Sequence, residues 1–165
     1  MNFTPPPRAL LLTNENSPGT PFQFECARSL LEKVGLAARQ GSSLNGGMHE
    51  YKLLWILGGI EIRNYLNHDP TEEGRVLKPT KDLIRSFHNA GKIIVAPCMG
   101  LPVVLESLKD AADPFLLAQT METGSLVEYS KINLITTRRP LLGKSHEQIE
   151  AVFSEIAGLI SNRNI

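Results

Sequence analysis

The 165-residue sequence predicts a three-layer α/β sandwich, a mainly parallel sheet with helices on both faces. Three observations lead there. Short apolar runs such as Leu10-Leu11-Leu12 and Ile93-Ile94-Val95 lack polar alternation, as strands covered on both faces do. Longer stretches place apolar residues at helical spacing. The two kinds of segment alternate along the chain, the pattern of strand–helix–strand units. The length fits one domain, residues 1–165, with a proline-rich tail at 1–7.

Residues 8–13 form the first strand, closed by the turn-rich Asn14-Glu15-Asn16-Ser17-Pro18-Gly19. From Phe24, the apolar residues Ala27, Leu30, Leu31 and Val34 mark a helix that Gly35 stops. Residues 37–50, polar and glycine-bearing, read as a surface connection. Residues 51–57 make a second buried strand running into Gly58-Gly59. Residues 67–79 are charged, contain Pro70 and Pro79, and form a long loop. Thr80 is expected to cap a helix with the inner stripe Leu83, Ile84, Phe87 and Ala90, ended by Gly91. Residues 93–96 are the third strand. A helix over 101–109 carries Pro102 in its first turn, where proline is tolerated. Residues 125–129 and 132–136 are two further strands. The last helix opens at Ser145 with Gln148 three positions on, a capping box, and turns Ile149, Val152, Phe153, Ile156, Leu159 and Ile160 inward.

Seventeen Lys and Arg balance seventeen Asp and Glu, with no local basic run. Nucleic-acid binders need a basic excess, so no nucleic-acid partner is expected. The apolar run at 53–57 is far shorter than the roughly 20 residues that span a bilayer, and residues 1–8 lack a secretory apolar segment. No membrane partner is expected. Two cysteines suggest a reducing compartment, the cytoplasm or an organelle matrix.

In parallel sheets, ligands gather at the carboxyl ends of the strands, which directs attention to 14–23, 58–64, 97–100 and 137–142. Cys98 stands out there. It occupies a sharp strand-to-helix corner, Ala96-Pro97-Cys98-Met99-Gly100, which exposes and strains the residue at the bend. The amides and dipole of the following helix favour the thiolate, the reactive species. The bland alternative is a buried structural cysteine. Gly58-Gly59, at the next strand end, allow close backbone approach, and an amide there together with that of Met99 would make an oxyanion hole. Cys26 lies near an apolar helix stripe and reads as core. The histidines, His49, His68, His88 and His146, read as loop or helix-surface residues. No pair of residues has metal-ligand spacing, so no metal is expected. Arg138-Arg139 follow a strand end; Arg138 is a candidate for binding a carboxylate or phosphate, against the commoner reading of surface arginines.

Trp55-Ile56-Leu57-Gly58-Gly59, followed after a long loop by His88-Asn89-Ala90-Gly91-Lys92-Ile93-Ile94-Val95-Ala96-Pro97-Cys98-Met99-Gly100, resembles the DJ-1/PfpI superfamily of the class I glutamine amidotransferase-like fold. The run Ile132-Asn133-Leu134-Ile135-Thr136-Thr137-Arg138-Arg139-Pro140 resembles that superfamily's last strand. Asn64-Tyr65-Leu66 and the insertion before Thr80 look most like its glyoxalase-like branch, that of the sigma cross-reacting protein. The resemblance spans about residues 8–160. It implies a flavodoxin-like sheet, a homodimer, and glyoxalase- or deglycase-like chemistry on a small carbonyl substrate, with neither metal nor organic cofactor.

Three departures accompany the resemblance. The superfamily's acidic residue in the first helix falls on Gln23, with Glu25 as the alternative if the register slips; a neutral amide donates a hydrogen bond but shares no proton. No histidine lies between Cys98 and residue 145, so a Cys–His dyad is not visible. The stretch before Tyr51 is short, as though a strand and its substrate loop were trimmed. Two functions stand on these residues. One is an enzyme in which Cys98 attacks a 2-oxoaldehyde, the amides of Gly59 and Met99 steady the oxyanion, and Gln23 or Glu25 orients or protonates. The other is a non-catalytic redox-sensing or ligand-binding protein.

Overall fold

The structure, a computed structural model, describes residues 3–13, 21–57, 62, 65–67, 74–141 and 143–163. In chain order, β1 (Arg8–Leu12), α1 (Pro21–Lys33), β2 (Ala37–Gly41), a 3-10 turn (Met48–Glu50) and β3 (Tyr51–Ile56) come first. They are followed by α2 (Lys78–Asn89), β4 (Ile93–Val95), α3 (Gly100–Leu108), α4 (Pro114–Ala118) and β5 (Met121–Thr123). β6 (Leu126–Tyr129), β7 (Leu134–Thr137) and α5 (His146–Ser161) complete the chain. The strands form one sheet in the order β2-β1-β3-β4-β7-β6-β5. Its β2-β1-β3-β4-β7 portion is parallel, and β7-β6-β5 is antiparallel. This is the expected α/β architecture.

Because strand side chains alternate, each central strand feeds both faces. Ala9, Leu11, Leu53, Trp55, Val95 and Ile135 join Ala27 and Leu31 of α1 and the apolar stripe of α5 in one core layer. Leu10, Leu12, Leu54, Ile56 and Ile94 join α2 and α3 in the other. Trp55 meets Phe153 of α5 edge-on, ring centres 5.0 Å apart. Tyr51 meets Phe87 of α2 in the same manner at 6.2 Å. The capping box at Ser145 forms in full: its hydroxyl accepts from Gln148 N, and Gln148 Oε1 accepts from Ser145 N.

Four segments differ from the sequence expectations. Residues 37–41 are β2, an edge strand in parallel register with β1 from Arg8↔Ala37, so that strand is present and not trimmed. Its outward Arg39 and Gln40 removed the apolar signal. Thr80 does not cap α2; it is a buried third residue of a helix that begins at Lys78 with Pro79 in its first turn. Ala90 is exposed at the end of that helix and outside its inner stripe, while Gly91 takes φ +67° as a helix stop does. α4, apolar throughout but only five residues long, is too short to show a helical period, and β5 is short and exposed; Asp113 starts α4 by accepting from Phe115 N at 2.8 Å. The long loop expected at 67–79 is pinned at its base, where Asn67 N donates to Arg75 O and Leu77 N to Tyr65 O, each at 2.9 Å.

Candidate functional site

The chain leaves β4 through Ala96, whose amide donates to Ile135 O of β7 at 2.8 Å, and turns at Cys98 into α3. Cys98 sits in the left-handed region, φ +56°. Among the described residues only Asn133 (φ +53°) shares that conformation without being glycine, and Asn tolerates it. For a cysteine it costs about 1–2 kcal/mol, strain that persists only where surrounding bonds impose it. Those bonds are visible. Cys98 N donates to Thr137 Oγ1 at 2.8 Å, and Thr136 Oγ1 donates to Ala96 O at 2.7 Å. Adjacent threonines at the end of β7 thus clamp the backbone at and before the bend.

Gly100 lets α3 start against the sheet. A Cβ there would lie 3.3 Å from Ala96 Cβ and 3.4 Å from Ile56 O. Cys98 as a residue is partly buried and packs against the α1/α5 core layer. Leu141 N donates to Cys98 Sγ at 3.4 Å, so a backbone donor faces the sulfur. Met99 precedes α3 with its side chain exposed, and its amide makes no hydrogen bond among the described residues. Gly58 and Gly59 lie outside the described residues.

Gln23 is buried on the same face of α1 as Ala27 and Leu31, and its Oε1 has no hydrogen-bond partner among the described residues. It stands in the first turn of α1, which enters from the carboxyl end of β1, the end of the sheet at which Cys98 lies. Its neighbours Phe22 and Phe24 pack on the same core layer as Cys98. An unpaired buried carbonyl oxygen costs about 1–3 kcal/mol, so Gln23 holds an unused acceptor in the cysteine's layer. Glu25 points to solvent, 4.0 Å from Arg28. Of the two α1 residues, only Gln23 faces inward.

Arg138 is half-exposed, with Nη1 donating to Gly124 O and Nη2 beside Glu122, both at 3.3 Å. It borders a cavity of about 260 Å³ that Thr137, Leu141, Arg139 and Lys144 also line. Cys26 lies half-buried on α1, where burial first and the Glu150 carboxylate second push its thiol pKa up. His88 is half-buried on α2, and that burial holds its imidazole below the ordinary value. His49 is exposed, and His68 lies outside the described residues. His146 stacks on Phe22 at 3.8 Å between ring centres. No group of three or more His, Cys, Asp or Glu gathers as a metal site among the described residues. None of their helices is long and apolar enough to cross a membrane.

Sequence reasoning named the segment 137–142 but missed what two of its residues do, the Thr137 hydroxyl and the Leu141 amide. A threonine at the end of the strand next to β4 was the available signal; a backbone amide leaves none.

No family model and no curated protein matches the chain. Solved structures do. An isoprenoid biosynthesis protein with an amidotransferase-like domain from Ehrlichia chaffeensis superposes with a TM-score of 0.75 at 13% identity, over 94% of this chain and 99% of that one. DJ-1beta of Drosophila melanogaster gives 0.57 at 20% identity, over 95% and 90%. A two-domain protein from Anabaena variabilis, with DJ-1/ThiJ/PfpI-like and ferritin-like domains, gives 0.58 at 17%, over 93% and 49%. At these identities the likeness is one of fold.

Proposed function

We propose that this chain, which has the fold shared by DJ-1/ThiJ/PfpI-like proteins, uses Cys98 as a nucleophile toward a small electrophilic carbonyl compound such as a 2-oxoaldehyde. One observation carries the reading: Cys98 is held in a strained left-handed bend, half-exposed, with a backbone N–H directed at its sulfur. Strain of this kind concentrates at functional sites.

In this mechanism the Cys98 thiolate adds to the carbonyl carbon. A carbon–sulfur bond forms, the C=O π pair moves to oxygen, and that oxygen takes a proton from water. The Met99 amide, with an amide of Gly58 or Gly59, steadies the oxyanion as it forms. The Gln23 carbonyl accepts from the hydroxyl of the resulting hemithioacetal and orients it. A neutral amide relays no proton, so turnover beyond the adduct relies on water. Glyoxalase- or deglycase-like turnover in a homodimer, within a reducing compartment such as the cytoplasm, completes the proposal; Cys26 and Cys98 are both free thiols.

The second reading is redox sensing, in which Cys98 is oxidised reversibly to a sulfenic acid by peroxide. Gln23 favours it, because an amide replaces the carboxylic acid that turnover would use. Methylglyoxal consumption by the purified protein separates the two. Under the first reading Cys98→Ser abolishes consumption and Cys26→Ser leaves it intact. No consumption by wild type, with selective oxidation of Cys98 by mild peroxide, replaces the enzyme with the sensor.

A further inference from the structure

The cavity at the end of β7 is lined by three cationic side chains and, among the described residues, not by Cys98 itself. It connects to the cysteine through two shared residues, Thr137, which accepts from Cys98 N, and Leu141, which donates to Cys98 Sγ. Lys144 N donates to Leu141 O at 3.1 Å, so one turn presents both the Leu141 amide to the sulfur and the Lys144 side chain to the cavity. Arg138, Arg139 and Lys144 line it, Val152 of α5 borders it, and no Asp or Glu is among its described lining residues, although Glu155 Oε1 accepts from Ser125 N of its wall at 3.2 Å. Arg138 is already engaged by Glu122 and Gly124 O, which ties it to the β5–β6 turn. Arg139 and Lys144 form no ion pair among the described residues. Two cations without an ion pair among the described residues therefore border one concave space that shares Thr137 and Leu141 with the Cys98 bend.

We infer that the carbonyl compound meeting Cys98 carries a small oxyanion, which Arg139 and Lys144 hold in this cavity. The inference rests on the nucleophile reading above and adds the charge of the substrate. Guanidinium and ammonium groups recognise carboxylate and phosphate oxygens through charge-assisted hydrogen bonds. The volume, about 260 Å³, falls below the range of drug-sized sites. It suits an acid or phosphate of a few carbons.

The test measures binding in Cys98→Ser, where no covalent step occurs, by calorimetry at constant ionic strength, with chloride as the control anion. Glyoxylate probes a carboxylate source and inorganic phosphate a phosphate source; methylglyoxal is the neutral comparison. The expected result is saturable binding of at least one oxyanion, weakened about tenfold or more by Arg139→Gln with Lys144→Gln and retained in Lys144→Arg. Thermal melts confirm that these variants stay folded. Absence of binding by both oxyanions, or binding indifferent to the double variant, overturns the inference while leaving Cys98 free to be a nucleophile. Binding that depends on the two cations, beside an inert Cys98 in wild type, sinks the nucleophile reading and leaves an oxyanion site.

Discussion

The amide of Cys98 and the hydroxyl of Thr137 are joined by a 2.8 Å hydrogen bond that ties the bend after β4 to the end of β7. Together with the neighbouring bond from Thr136 to Ala96 O, it holds a cysteine in a conformation that side-chain sterics disfavour.

Thr137→Val keeps the shape and removes the acceptor, leaving a half-buried N–H unpaired. The expected loss is about 1–3 kcal/mol in urea unfolding, with the midpoint restored by Thr137→Ser. A valine variant as stable as wild type would show that this bond does not impose the bend.

The strain at Cys98 has its own signature. Cys98→Ala keeps a Cβ in the left-handed region and Cys98→Gly does not. The glycine variant should therefore be the more stable of the pair by about 1 kcal/mol, although glycine loses more entropy on folding. Denaturant midpoints measured side by side give the answer. Alanine equal to or better than glycine would mean that the bend is relaxed.

His88 supplies a pH dependence. Burial on α2 lowers its folded-state pKa, so the folded protein keeps the neutral imidazole while the unfolded chain protonates near pH 6.5. Its contribution is present above that pH and lost as pH falls through the depressed folded value. Melting temperatures at pH 7.5 and pH 5 should drop more for wild type than for His88→Gln. Equal drops would place the acid sensitivity elsewhere.

The buried parts of this molecule were legible in its residues alone, and the edges were not. Leu10 to Leu12, Leu53 to Ile56 and Ile93 to Val95 advertise themselves because both faces of the central sheet are covered. The capping box of Ser145 and Gln148 was readable because its chemistry is local. β2 and β5 carried no such signal, since an edge strand has little to bury. At the site, a short bend between a buried strand and a helix identified Cys98. Gln23 and Glu25 were indistinguishable by register alone, and only the packing of α1 shows which one turns inward. The Leu141 amide was beyond sequence reasoning altogether, because a backbone donor has no residue type.

The most direct test is the native alkylation rate of each cysteine at pH 7 with limiting iodoacetamide, mapped by mass spectrometry. Cys26 serves as the internal standard, its thiol kept protonated by burial and by Glu150. The account predicts that Cys98 is modified about tenfold faster or more. Cys98 reacting no faster than Cys26, or reacting only after denaturation, would contradict it.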